Sequence, residues 1–296
     1  MGTSVLVGGR GLGTRCRCRT CCWRVRARAL LVALSLLAVA LLFVSVFRAA
    51  DAVDSATGGG SCGTLDHQHA AWTAILRRFV QGGQVDYAGL ARRGQSHLSR
   101  YLQALASVCP DEYARWTRDE HLAFWINAYN AYTVRLILDH YPLSSIRSIG
   151  ILPGAAFRAR FISMQLMDRM LSLDDIEHEI LRKEFMEPRI HFAIVCASRS
   201  CPALRSEAYR AADLDRQLDD QARLFVRDPS KNRFDAAARV LHLSSIFTWF
   251  HEDFERAAGT LVGYVARYAD EPTAAGIREP GVRVEFLEYD WSLNGR

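Results

Sequence analysis

No acidic residue occurs in positions 1–28, and no charged residue of either sign in positions 29–47. The first absence leaves Arg10, Arg15, Arg17, Arg19, Arg24, Arg26 and Arg28 uncompensated. Removing those seven charges from the formal net charge of +5 puts residues 29–296 at −2. A nucleic-acid-binding domain carries its own basic face. None is concentrated beyond the tail, so no nucleic-acid partner is expected. The second absence defines the apolar run Ala29–Phe47. At 1.5 Å per residue its 19 residues span about 28 Å, against a hydrocarbon core of roughly 30 Å.

The run therefore reads as one N-terminal transmembrane helix whose partner is the lipid bilayer. Arg24, Arg26 and Arg28 flank it on one side, and the positive-inside rule keeps that side in the cytoplasm. The expected protein is single-pass, with its C-terminal domain extracytoplasmic, which means periplasmic in a Gram-negative cell. The alternative is a secreted protein cut after Ala52, since Ala50-Asp51-Ala52 has the small-x-small form of a cleavage site. The expected order is a basic Cys/Arg-rich tail over 1–28, the membrane helix over 29–47, a Gly-containing linker over 48–65 and a globular domain over 66–296.

Other absences remove whole chemistries. There is no Walker loop, dinucleotide-binding glycine pattern, Gly-x-Ser-x-Gly elbow or His-Glu-x-x-His run. No cofactor and no resident metal is called for, and no internal repeat occurs. Cysteine is sparse for an exported chain. Cys16, Cys18, Cys21 and Cys22 crowd the tail, where close spacing suits a metal, acylation or simply an unstructured segment. Only Cys62, Cys109, Cys196 and Cys201 fall beyond it. Four cysteines make no disulfide framework, and their pairing is open.

The remaining pattern is helix-rich α+β, a single domain around a small sheet. Helices are expected over 66–81, 95–107, 119–139, 211–226 and 258–268, and from Ser244 or Ser245 to Phe254. Ser172 with Asp175 has the capping-box spacing and opens a helix to about Phe185. Strands are expected over 239–243 and 282–287. The run Ile190-His-Phe-Ala-Ile-Val195 reads as a buried strand by its length and apolar content. Asn127 and Asn130 share one face of the longest helix and need partners if buried.

His191, Cys196 and Cys201 carry the chemistry. Cys201 precedes Pro202-Ala-Leu-Arg205, a stretch able to open a short helix whose N–H groups favour a thiolate. A histidine within reach completes a nucleophile–base pair. His178, Glu177, Asn127 or Asn130 could orient that histidine. Competing readings are a core-packed Cys196, a Cys196–Cys201 disulfide, and a structural zinc site built from Cys196, Cys201, His191 and His178.

Several long motifs then point one way. They are Phe124-Trp-Ile-Asn-Ala-Tyr-Asn130, Leu171–His178, Pro188–Pro202, Ser244–Trp249 with Asp253-Phe254, and Tyr289-Asp-Trp-Ser-Leu-Asn294. In this order the chain resembles the DUF547 family, whose function is unknown, over roughly 70–294. The resemblance implies a cysteine-peptidase-like core and marks His191, Cys201, Glu177 and Asn127 as candidate site residues. It also places Cys201, in the Ser200-Cys201-Pro202 step, ahead of Cys196 as nucleophile. Asn130, His178 and Cys196 are candidates for support. The leading expectation is a thiol-dependent hydrolase or acyltransferase acting on an amide or thioester of an unidentified peptide or protein. The alternatives are a non-catalytic peptide- or protein-binding domain and the structural zinc domain.

Overall fold

The computed structural model describes residues 62–296, so the expected tail, the membrane helix and most of the linker lie outside the described residues. Among the described residues, no helix is long and apolar enough to cross a membrane. The domain is α+β and helix-rich, as its periodicity predicts.

Its axis is the helix Arg118–Asp139, which Thr117 and Glu120 open with a reciprocal capping box. Every residue from Leu122 to Val134 is buried. Such all-round burial belongs to a helix enclosed by others rather than lying on a surface. The helix Ala70–Phe79 packs on the helix Gln95–Ala106, which in turn packs against this axis, with Ser99 accepting from Arg135. The helix Asp175–Phe185 packs along it and is wound as a π-helix, a form that recurs at functional sites. Its entry follows the expected cap: Ser172 Oγ and Asp175 Oδ2 exchange hydrogen bonds with each other's backbone N–H.

The sheet is small. Val240–Ser244 runs antiparallel to Arg233–Asp235 and parallel to Arg283–Leu287. A two-residue hairpin pairs Val80–Gln81 with Gln84–Val85. A second core gathers Phe192, Phe225, Phe247, Phe254 and Tyr264 beside this sheet. Burying each such ring contributes about 1.5–3 kcal/mol.

Two local expectations fail. The run from Ile190 is no strand: Ile190–Ala193 forms one helical turn, closed by Ile194 N–H to the Ile190 carbonyl. All four residues are buried, with Ile190 and Ala193 in one core and Phe192 in the other. A turn presents side chains to both cores at once, and a short apolar run cannot distinguish that from a strand. No helix opens after Pro202 either, and residues 202–205 are irregular. Cys201 therefore lacks the helix N-terminus expected to favour its thiolate.

A disulfide joins Cys62 to Cys109, while Cys196 and Cys201 carry unpaired thiols. The bond ties the start of the domain to the end of the 95–106 helix. Leu65 N–H donates to Glu112 beside it.

Candidate active site

Asn130 shapes the loop that carries the cysteines. Its Nδ2 donates to the Ala193 carbonyl and its Oδ1 accepts from Val195 N–H, both at 2.9 Å. The chain leaves the 190–193 turn held at both polar groups, one residue before Cys196. Asn127 makes the same two-point clamp on Tyr209, through its N–H and its carbonyl. Both ends of that amide are used there, so Asn127 does not orient His191. The two asparagines expected to need partners find them in backbone.

Beyond Cys196, Ala197 adopts φ 59°, a left-handed backbone for a residue with a Cβ. Such strain costs about 1–2 kcal/mol. Neighbouring strand-like contacts hold it: Asn294 N–H donates to the Ala197 carbonyl, and Arg199 N–H to the Ser292 carbonyl. The C-terminal segment thus lies along the cysteine loop and brings Tyr289 and Trp291 to it.

The result is a cavity of about 170 Å³. His191, Cys196, Cys201, Glu177 and His178 all line it, as do Asp174, Tyr129 and the rings of Phe250, Trp249 and Trp291. Five of the seven sequence candidates therefore share one cavity. Asn130 supports it through the backbone.

The orienting partner of His191 is Asp253. Its Oδ2 accepts the His191 Nε2–H at 2.8 Å and the Arg182 Nε–H at 2.7 Å. Burial works against the Asp253 carboxylate, but these donors outweigh it and hold the group well below the usual range. The imidazole stacks on Phe250 at 3.8 Å between ring centres, and burial pushes its pKa down to about 4. His191 is thus a neutral ring that donates through Nε2, which leaves Nδ1 as a lone-pair acceptor. Nδ1 is buried and has no hydrogen-bond partner, so no bond joins it to either sulfur.

The two thiols differ. Cys196 Sγ lies 3.0 Å from Ser198 Oγ and 3.2 Å from the Tyr289 hydroxyl. Burial raises the thiol's pKa, yet hydrogen bonds from Cys201, Ser198 and Tyr289 prevail and bring it below an ordinary thiol. Tyr289, lifted by its own burial, remains a donor. Cys201 Sγ accepts Cys196 N–H at 2.8 Å, but burial and the adjacent Cys196 sulfur drive its pKa up. Cys201 is 4% exposed and Cys196 more open.

Glu177 does not touch His191. It accepts from the Tyr129 hydroxyl at 3.2 Å, and burial lifts it to about 7. His178 Nδ1 faces Arg182 Nη1 at 3.2 Å, and burial holds that ring neutral. Cys196, Cys201, His191 and His178 do not converge as a zinc set. Among the described residues, no group of three or more His, Cys, Asp or Glu could hold a metal ion.

Sequence reasoning missed Asp253, Tyr289, Asp174 and Tyr129. Asp253 and Tyr289 stand inside motifs that carried the resemblance, and membership of those motifs was the available signal.

Residues 113–226 match the model of DUF547, a protein family of unknown function. The match covers the asparagine clamps, Glu177, His191 and both unpaired cysteines, and ends before Asp253 and Tyr289. No curated protein and no solved structure matches the chain.

Proposed function

We propose that this DUF547 chain is a thiol-dependent hydrolase or acyltransferase acting on an amide or thioester, with Cys196 rather than Cys201 as the attacking sulfur. The observation that carries the reading is the Asp253–His191 pair, its Nδ1 unpartnered, lining the same cavity as an acidified thiol. Cys196 Sγ would form a bond to the substrate carbonyl carbon. The bond from that carbon to the leaving nitrogen or sulfur would break. His191 Nδ1 would take the thiol proton and pass it to the leaving group. Water, or a second nucleophile in the acyltransferase case, would then release the acyl group. Hydrogen bonds at such sites are often looser before substrate binds. A cysteine-peptidase-like core is part of this proposal and rests on the Cys–His–Asp set.

The test is alkylation by iodoacetamide from pH 5 to 9, read by mass spectrometry on the wild type, Cys196→Ser and Cys201→Ser. Cys196 should react first, with a midpoint below that of an ordinary thiol, and Cys201→Ser should retain that modification. Modification confined to Cys201 would move the nucleophile there, and inertness of both thiols would overturn the reading.

A second reading, a non-catalytic peptide- or protein-binding domain, draws on burial: the His191 side chain is 0% exposed. It predicts inert thiols at neutral pH.

For location, the proposal is a single-pass protein held by residues 29–47 with the domain outside the cytoplasm. The Cys62–Cys109 disulfide supports it, because such bonds persist in oxidising compartments. Alkaline extraction of membranes followed by blotting tests the anchor. Release of a shortened, soluble chain would favour secretion instead.

A further inference from the structure

Three arginines lie near the start of the 175–185 helix and a fourth, Arg182, stands in its last turn, and each is engaged elsewhere. Arg160 and Arg169 pair with Asp175, at 3.8 and 3.0 Å. Arg182 pairs with Asp253. Arg158 donates to the Pro153 carbonyl. Asp174 and Glu177 line the thiol cavity and form no ion pair among the described residues.

Two carboxyl groups facing one cavity without an ion-pair partner are costly, and burial raises both pKa values against the weaker pull of Arg158 on Asp174 and Arg182 on Glu177. A second observation is independent of them. His191 is 3% exposed, lines the same cavity and leaves Nδ1 without a partner. These open groups accept hydrogen bonds. His178, neutral and turned to Arg182 through Nδ1, adds no charge. Trp249, 47% exposed, and Phe250 complete the wall with aromatic rings. An anion would oppose ionisation of both carboxyl groups here, whereas a cation favours it. An ammonium group offers three N–H donors and a positive charge, and aromatic faces also attract it.

We propose that Asp174 and Glu177 form an ammonium subsite beside Cys196, so that the cavity takes acyl groups carrying a free amine, as at the amino terminus of a peptide. The subsite stands on the cavity itself, and only the word acyl rests on the thiol reading above. Ile194, Ile246 and Phe157 in the lining suit an apolar side chain next to that amine.

The test separates the two. The full chain carrying Cys196→Ala is titrated with L-leucinamide, N-acetyl-L-leucinamide and isovaleramide, followed by tryptophan fluorescence. Leucinamide should bind at least about tenfold more tightly than either uncharged ligand, as expected for a charge-assisted contact in a shielded site. Asp174→Asn with Glu177→Gln should erase that preference. Equal binding of the three ligands, no saturable binding of leucinamide, or a preference that survives the double substitution would each overturn the subsite. The comparison of ligands on one protein stands even if the double variant fails to fold. In parallel, wild type is exposed to a leucyl thioester, and Cys196 is examined for the acyl adduct. A leucinamide preference without acylation rejects the thiol chemistry and keeps the subsite. Acylation without an amine preference does the reverse.

Discussion

His191 and Asp253 lie 62 residues apart in the chain and meet through one hydrogen bond, Nε2–H to Oδ2 at 2.8 Å. That bond decides which imidazole nitrogen keeps its lone pair. Asp253→Asn should reverse it, because the asparagine amide can donate to Nε2 and shift the ring proton to Nδ1. Nitrogen-15 correlation spectra of labelled protein should show the Nε2–H form in wild type and the Nδ1–H form in the variant. Arg182 also loses its counter-charge. With Arg182 partly exposed, the combined loss should destabilise the fold by about 2–3 kcal/mol. An unchanged tautomer would remove Asp253 as the positioning residue.

That pairing was beyond sequence reasoning because nothing local requires it. What depends on near neighbours was legible: the helix expected over 119–139 runs Arg118–Asp139, and Ser172 with Asp175 starts another. The Ile190–Val195 run was misread because its burial comes from two cores that meet only in the folded chain. Glu177 lines the cavity with His191 but does not bond to it. Its real partner, Tyr129, is 48 residues upstream on the central helix. Cys196 and Cys201 were legible as a pair. Their order of acidity was not, since it turns on Ser198 and on Tyr289, 93 residues away.

Asn130 offers a test of how the cysteine loop is held. Asn130→Ala would leave the Ala193 carbonyl and the Val195 N–H buried without partners. Each unsatisfied group costs about 1–3 kcal/mol, so a loss of about 2–6 kcal/mol is expected for the two. Asn130→Asp keeps the acceptor for Val195 but sets a carboxylate oxygen against the Ala193 carbonyl, and should be no better. Urea unfolding measures both. A variant within about 0.5 kcal/mol of wild type would mean the clamp is dispensable.

The Cys62–Cys109 bond closes 47 residues. Chain-entropy arguments give such a loop about 4 kcal/mol, with smaller values common in practice. Replacing both cysteines by alanine should lower the urea midpoint without changing alkylation of Cys196. The bond lies beside Glu112, and neither Cys62, Cys109 nor Glu112 lines the cavity that holds Cys196. A changed Cys196 reactivity would show that the two regions are coupled.

Stability against pH follows from three buried groups with opposed signs. Burial pushes His69 and His191 down to about 4 from an ordinary 6.5. Below about 6.5 the unfolded chain binds protons that the fold refuses, so their contribution is complete above that pH and lost as pH falls toward 4. Glu177 moves the other way, from 4.5 to about 7. Between those values the fold keeps a proton the unfolded chain has released, so its contribution is present at low pH and lost as pH rises through about 7. From pH 4.5 to 6.5 two protons act against one. Wild-type stability should therefore rise by about 1.4 kcal/mol per pH unit. Asp174 and Glu184, both raised by burial, temper this, while His178, lowered by burial, adds to it. Glu177→Gln removes the opposing proton and should steepen the slope toward about 2.7 kcal/mol per unit. Urea unfolding at four pH values across that window reads both slopes. Parallel slopes for wild type and variant would show that Glu177 is already ionised in the folded protein, with a cation beside it.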